Sequence, residues 1–174
     1  KGMIQRTEAL NRFLDDVYHE QKILEEGIVP RHLVEENPYY YSKQVKGIDI
    51  PLKNHIFLAG IDLIRDEFGK YHVLEDNLRN PSGMSYVYQN RYVMRQVYPD
   101  FFANHSVHAL EHQLSYLHQA MLDHMPNTSN EKPFAVLLTP GMYNSAYYDH
   151  VFLAQQMGID LVEGRDLIVK KNIV

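Results

Sequence analysis

The chain contains no cysteine, which excludes disulfides, thiol nucleophiles and zinc–thiolate sites. It has no excess of cations: 17 Lys and Arg stand against 22 Asp and Glu, whereas a nucleic-acid surface needs clustered basic side chains to meet phosphates. No apolar run reaches the ~20 residues that cross a bilayer, and no signal peptide is visible. Internal repeats and low-complexity tracts are missing, as are a glycine-rich loop and the G-x-G-x-x-G dinucleotide fingerprint. The rest of the composition is ordinary for a folded domain, and 174 residues supply core enough for one. A cytoplasmic protein fits these absences. The chain opens on Lys1-Gly2 and not on Met, so a piece of a longer protein is expected.

Hydrophobic period divides the chain. Leu10, Phe13, Leu14, Val17 and Leu24 make one stripe, which predicts a helix over Thr7–Glu26 with Gly27 as its C′ residue. A short helix is expected at Arg31–Glu36, and a longer one at Met84–Tyr98. Val107–Met125 reads as an amphipathic helix. The polar run 126–133, from Pro126 to Pro133, reads as a linker. Beyond it, Phe134–Thr139 is a continuous apolar strand, Ala146–Met157 a helix capped by Gly158, and Ile159–Val162 a second strand. This is a β-α-β unit with a parallel pair, and a further strand is expected at Leu167–Val169. The fold class is therefore α/β, with α+β character in the first part.

The most informative stretch is Ile56–Tyr86. Branched residues over Ile56–Arg65 and the segment Tyr71–Asn77 predict two antiparallel strands joined by a turn that contains Gly69. If Asp66 pairs with Tyr71, Asp62 lies opposite Glu75. Side chains alternate along a strand, so Asn77 shares the face of Glu75. Two carboxylates on neighbouring strands repel unless a cation sits between them. An all-oxygen cluster suits a hard ion such as Mg²⁺, which keeps some waters and also holds phosphates. Arg79 is a candidate clamp for phosphate or carboxylate, because its planar fork matches both. Ser82 and the start of the following helix form either an anion site or a simple cap.

The pattern D-x(12)-E-x-N, here Asp62, Glu75 and Asn77, resembles the metal-binding end of the ATP-grasp ligases. The wider runs GIDLIRDEFGKYHVLEDNLRNPSG and LLTPGMYNSAYYDHVFLAQQMGIDLVEGRDLIV resemble the circularly permuted branch, relatives of glutathionylspermidine synthase. The resemblance runs from about Arg6 to the last residue. It implies a partial ATP-grasp fold: a metal-binding half over 1–125, the linker 126–133, and the beginning of a pre-ATP-grasp domain over 134–174. It implies ATP and Mg²⁺ (or Mn²⁺) as cofactors, with Asp62, Glu75 and Asn77 as metal ligands and Arg79 as the catalytic and phosphate-binding cation. Ser82, read from its place at the helix start, is a candidate second phosphate contact beside Arg79. The implied reaction joins a small-molecule or peptide carboxylate to an amine through an acyl phosphate.

Two features depart from the family pattern. The lobe with the lysines and glycine-rich loop is missing and is expected as further sequence, so the fragment alone is expected to be inactive and to self-associate. Many members carry Arg two residues before the aspartate, where this chain has Gly60.

Other readings compete with these assignments. Tyr143, Asn144 and Ser145 follow a strand at the carboxyl edge of the β-α-β sheet, where ligands bind; they are candidate substrate contacts or a helix cap. Arg91 and Arg95 face either phosphates or ion-pair partners. Tyr39, Tyr40 and Tyr41 either stack on a ligand or pack a loop. His108-x-x-Glu111-His112 matches H-x-x-E-H, which on a helix places both His on one face as in a zinc hydrolase. A scaffold that keeps the fold without catalysis is the other alternative.

Overall fold

The computed structural model describes residues 1–125, 134–170 and 174. These divide into two compact units, Lys1–Pro81 and Ser82–Val174. The helical stretch 82–125 thus shares a unit with the β-α-β segment. The expected linker itself lies outside the described residues.

The first unit opens with α1 (Gly2–Tyr18), followed by the short helices α2 (Lys22–Glu25), α3 (Arg31–Glu35) and α4 (Ser42–Val45) and a 3₁₀ turn at Pro51–Lys53. The single helix expected over Thr7–Glu26 is two helices. Gln21 adopts φ 59°, which stops the first. Asp16 then bonds the free N–H groups of Lys22 and Ile23, each at 3.0 Å, and so starts the second. A left-handed Gln is uncommon. Here it is held by burial and by its amide, which donates to the Val17 carbonyl and the Tyr40 hydroxyl and accepts from Lys46. Gly27 takes the positive φ expected of a residue after a helix.

The unit closes with the hairpin β1 (Gly60–Arg65) and β2 (Tyr71–Asn77), paired antiparallel. The first strand is shorter than the Ile56–Arg65 predicted. Ile56 is buried beside α1, with its N–H on Asn11. Arg6 on α1 grips Asp76 on β2 through two hydrogen bonds of 2.7 and 2.6 Å.

The second unit contains α5 (Met84–Val97), α6 (Pro99–Asn104), α7 (Gln113–Asp123), β3 (Val136–Leu138), α8 (Tyr147–Met157) and β4 (Asp160–Val162). β3 and β4 pair in parallel with α8 between them in sequence, as the pattern predicted. Leu114, Leu153 and Met157 form the buried centre, and Met84, Tyr88, Leu137 and Phe152 pack around it. Gly158 ends α8 at φ 67°. The strand expected at Leu167–Val169 does not form. Glu163 and Asp166 instead close a capping box around a 3₁₀ turn at Gly164–Asp166. Among the described residues no helix is long and apolar enough to cross a membrane.

Candidate metal centre

The geometry of the hairpin starts at its turn. The Asp66 carboxylate accepts the N–H groups of Phe68 (3.0 Å) and Lys70 (2.8 Å) and meets His72 Nε2 at 2.7 Å. The His72 contact, then the Lys70 N–H, hold this carboxyl below its ordinary pKa. Gly69 takes φ 80°, open to glycine at no steric cost. The closing pair is Arg65 with Tyr71, so the expected pairing of Asp66 with Tyr71 is corrected by one residue.

A bulge then restores the predicted arrangement. Leu63 pairs with Val73, but Asp62 pairs with Glu75, which leaves Leu74 as an extra residue in β2. Without that insertion Asp62 would meet Leu74, and Glu75 would fall on the other face. A bulge that re-aims a side chain is a recurrent device beside functional sites. Gly60 faces Asn77 at the end of the ladder. Asp62, Glu75 and Asn77 therefore share one face of the hairpin. All three are exposed. Among the described residues none of them makes a side-chain hydrogen bond or ion pair. The opposite face carries Ile61, Val73 and Asp76, all half-buried, and it is the face that Arg6 holds.

Gly60 has a steric reason. A Cβ placed there would lie 2.8 Å from the Pro81 Cβ and 3.7 Å from the Asn77 Cβ. The chain leaving β2 occupies the space that an arginine at this position would need. Arg79 lies in that returning segment. Its guanidinium stacks on the Tyr39 ring, 4.5 Å from the centroid. Tyr39 thus supports a cation, while Tyr40 packs against Tyr18 (5.4 Å between centroids) and bonds Gln21. A stacked guanidinium keeps its N–H edge for an oxyanion.

The helix start after Pro81 differs from both readings of Ser82. The cap residue of α5 is Gly83, and the helix has no cap from its own side chains. Asp149 of α8, 3% exposed, accepts the N–H groups of Gly83 (3.0 Å) and Ser85 (2.7 Å). These donors are the ones an anion would use, so a protein carboxylate already holds that position. The Ser82 hydroxyl is exposed beside it. Nothing local in the sequence marked Asp149, since its partners are 64 and 66 residues away.

The remaining candidates lie in the second unit. Asn144 spends its side-chain oxygen on the Ala146 N–H (2.9 Å), a local turn before α8. Tyr143 and Ser145 are exposed. The carboxyl edge of β3 is organised by a residue the sequence did not signal: Thr139, buried, accepts the Gly141 N–H at 3.1 Å and contacts His150 Nδ1 at 2.9 Å. The H-x-x-E-H reading fails on geometry. α7 begins at Gln113, so His108, Glu111 and His112 are not on a helix together. Glu111 pairs with Arg95 at 2.5 Å, and the His108 carbonyl accepts from Arg91 at 2.6 Å. Arg91 and Arg95 thus have protein partners. Glu111 is held below its ordinary pKa by its own backbone N–H and by Arg95.

A family model described as circularly permuted ATP-grasp type 2 matches residues 1–174. The chain is 49% identical over 174 residues to an uncharacterized protein of Mycobacterium tuberculosis, covering all of this chain and 31% of that protein. It is 47% identical over 169 residues to an uncharacterized protein of Synechocystis, covering 97% of this chain and 35% of the other. A Frankia casuarinae protein with the provisional name glutamate–cysteine ligase 2-2 is 36% identical over 174 residues, 99% of this chain and 20% of that protein. The chain thus spans between a fifth and about a third of the length of these relatives.

Proposed function

Because the chain belongs to the circularly permuted ATP-grasp type 2 family, we propose that it carries the metal-binding part of an ATP-dependent carboxylate–amine ligase. The observation that carries this reading is the hairpin face: Asp62 opposite Glu75, Asn77 at the same face, and no protein partner for any of the three among the described residues. The donor set fits Mg²⁺ or Mn²⁺, because all its atoms are oxygens and two are anionic. When bound, the ion neutralises charge on the β- and γ-phosphates of ATP.

The chain's own residues have the following roles in this reading. Asp62 and Glu75 supply the negative charge, and Asn77 a neutral oxygen. The bulge at Leu74 sets their register. Arg79, its guanidinium over the Tyr39 ring, directs its donors to the transferred phosphoryl group or the carboxylate it activates. Ser82 stands beside Asp149-bound N–H groups and serves at most as a lone hydroxyl donor. Tyr143, Asn144 and Ser145 remain proposed substrate contacts, with Asn144 contributing only the donors that its turn leaves free. The carboxylate becomes an acyl phosphate, and an amine displaces phosphate to form an amide. The name of the Frankia relative supports amino-acid or small-peptide substrates. The nucleotide-enclosing lobe is proposed to come from sequence that the longer relatives have beyond the matched part.

The test uses the whole protein that contains this chain. Glu75→Gln and Asp62→Asn are expected to lower Mg²⁺-dependent ATP turnover at least ~100-fold, as loss of a charge-stabilising group does, with circular dichroism unchanged. Full turnover in either variant removes that residue from the metal site. Absence of turnover in the unaltered protein with amino-acid and peptide acceptors would favour the non-catalytic scaffold.

A further inference from the structure

A second polar cluster lies in the first unit, away from the hairpin face, and the ligase reading makes no use of it. Asn11, Asp15 and His19 are spaced by four along α1 and its end, and they form one stripe. This stripe receives the segment that enters β1. Asn11 donates to the Lys53 carbonyl (2.8 Å) and accepts the N–H groups of His55 (2.7 Å) and Ile56 (3.2 Å). His55 is thereby drawn in until its side chain is 6% exposed, stacked on Tyr18. Its Nε2 lies 3.3 Å from Asp15 Oδ1.

His19 completes the cluster in an unusual way. Its Nδ1 is 2.8 Å from the Asp15 carbonyl oxygen and 3.5 Å from Asp15 Oδ1. Its Nε2 is buried, has no hydrogen-bond partner, and has Asp49 Oδ1 at 3.7 Å. A neutral imidazole carries one N–H. Whichever nitrogen holds the proton, the other presents a lone pair to oxygens, and a buried polar atom left this way is costly. A cation beside Nδ1 removes the conflict. Nδ1 then becomes a ligand in place of its contact with the Asp15 carbonyl, and Nε2 keeps the proton and turns it toward Asp49 as a hydrogen-bond donor, the carboxylate–histidine–metal arrangement that orients metal ligands elsewhere.

We propose that Asp15, His19 and His55 bind one divalent transition-metal ion, with zinc the first candidate, which clasps the end of α1 to the segment that enters the hairpin. One donor atom from each residue lies within 4.8 Å of the others. Ligands at about 2.1 Å from a tetrahedral zinc are separated by roughly 3.4 Å. Asp15 Oδ1 is already at that spacing from both rings. Two imidazoles and one carboxylate favour zinc, cobalt or nickel over magnesium or calcium, which prefer oxygen. Water fills the fourth position, since Asp15 and His19 retain partial exposure.

The test uses protein purified without a histidine tag and stripped with a chelator. Titration with zinc sulfate is expected to give one site per chain with a Kd below about 10 μM, and zinc is expected to raise the melting temperature. His19→Gln and His55→Gln are each expected to weaken binding at least tenfold. The double variant His108→Ala/His112→Ala, which touches two exposed histidines outside the cluster, is expected to bind as before. Weaker binding by the unaltered protein overturns the proposal, as does tight binding that survives both His19→Gln and His55→Gln. If either glutamine variant fails to fold, ring-nitrogen NMR of the unaltered protein decides. Of the ten histidines, zinc must shift two at one equivalent; any other number overturns the site.

Discussion

Glu75 stands opposite Asp62 because Leu74 is an extra residue in β2. The bulge places two exposed carboxylates side by side with no protein cation between them among the described residues. Like charges directly opposite on a sheet destabilise it. Glu75→Gln is therefore expected to leave the metal-free melting temperature unchanged or slightly raised, within about 0.5 kcal/mol as for exposed substitutions generally. Mn²⁺ is expected to raise the melting temperature of the unaltered protein and not that of Glu75→Gln. Thermal melts in EDTA and in Mn²⁺ measure both. A large loss of stability in EDTA would mean that Glu75 has a structural partner and is not a waiting ligand.

The hairpin was readable because its signals are local. The turn residues, the branched strands and the period of two mark two antiparallel strands and their turn, while the pairing of Asp62 with Glu75 depends on the bulge. The bulge was not readable, because one more residue in the turn and one extra in the strand cancel in the count. Elsewhere local pattern lost to side-chain competition. The apolar spacing over Val107–Met125 suits a helix throughout, yet Arg91 takes the His108 carbonyl and Arg95 takes Glu111, so the helix starts at Gln113. Asp16 likewise captures the N–H groups after Gln21 and splits a helix whose apolar stripe continues to Leu24. Asp149 was invisible for the same reason, since its role exists only once α5 and α8 pack.

Asp149 holds the start of α5 by two backbone N–H groups from a position 3% exposed. Truncation leaves those donors buried without an acceptor. Asp149→Ala is expected to cost about 1–3 kcal/mol and to lower the melting temperature by several degrees. Asp149→Asn, which keeps one acceptor oxygen, is expected to cost less. Urea unfolding of both variants checks this order. Equal stability of Asp149→Ala and the unaltered protein would show that water or a neighbouring group replaces the carboxylate.

Acid sensitivity follows from the depressed carboxyls. His72 holds Asp66 below its ordinary pKa, and the Arg6 guanidinium does the same for Asp76. Each binds its proton less readily folded than unfolded. Each therefore contributes stability that is full above the unfolded value, near pH 4, and is lost as pH falls through the lower folded value. Melting temperature is expected to drop below about pH 4, and the drop to be shallower in the double variant Asp66→Asn/Asp76→Asn, which is less stable at pH 7. Both groups are solvent-accessible, so added salt should reduce the difference. An unchanged acid slope in the double variant would assign the effect to other carboxyls.

In the proposed ligase reading, Asp62, Glu75 and Asn77 offer Mg²⁺ three oxygen donors on the exposed face of the hairpin. An ion held this way keeps several waters and gains little from the protein. Phosphoryl transfer relies on positioning from both sides of the nucleotide, and in that reading the hairpin and Arg79 supply one side only. The 174-residue chain is therefore expected to bind Mg-ATP more weakly than about 100 μM and to show no ATPase or ligase activity. The whole protein, with the additional sequence that its relatives have, is expected to bind at least tenfold more tightly. Calorimetry on both measures the ratio. In the whole protein Asp62→Asn should bring the affinity down toward that of the chain alone. Micromolar binding by the chain alone would mean that these residues already enclose the nucleotide, and that the proposed second lobe supplies the acceptor site and not the phosphate grip.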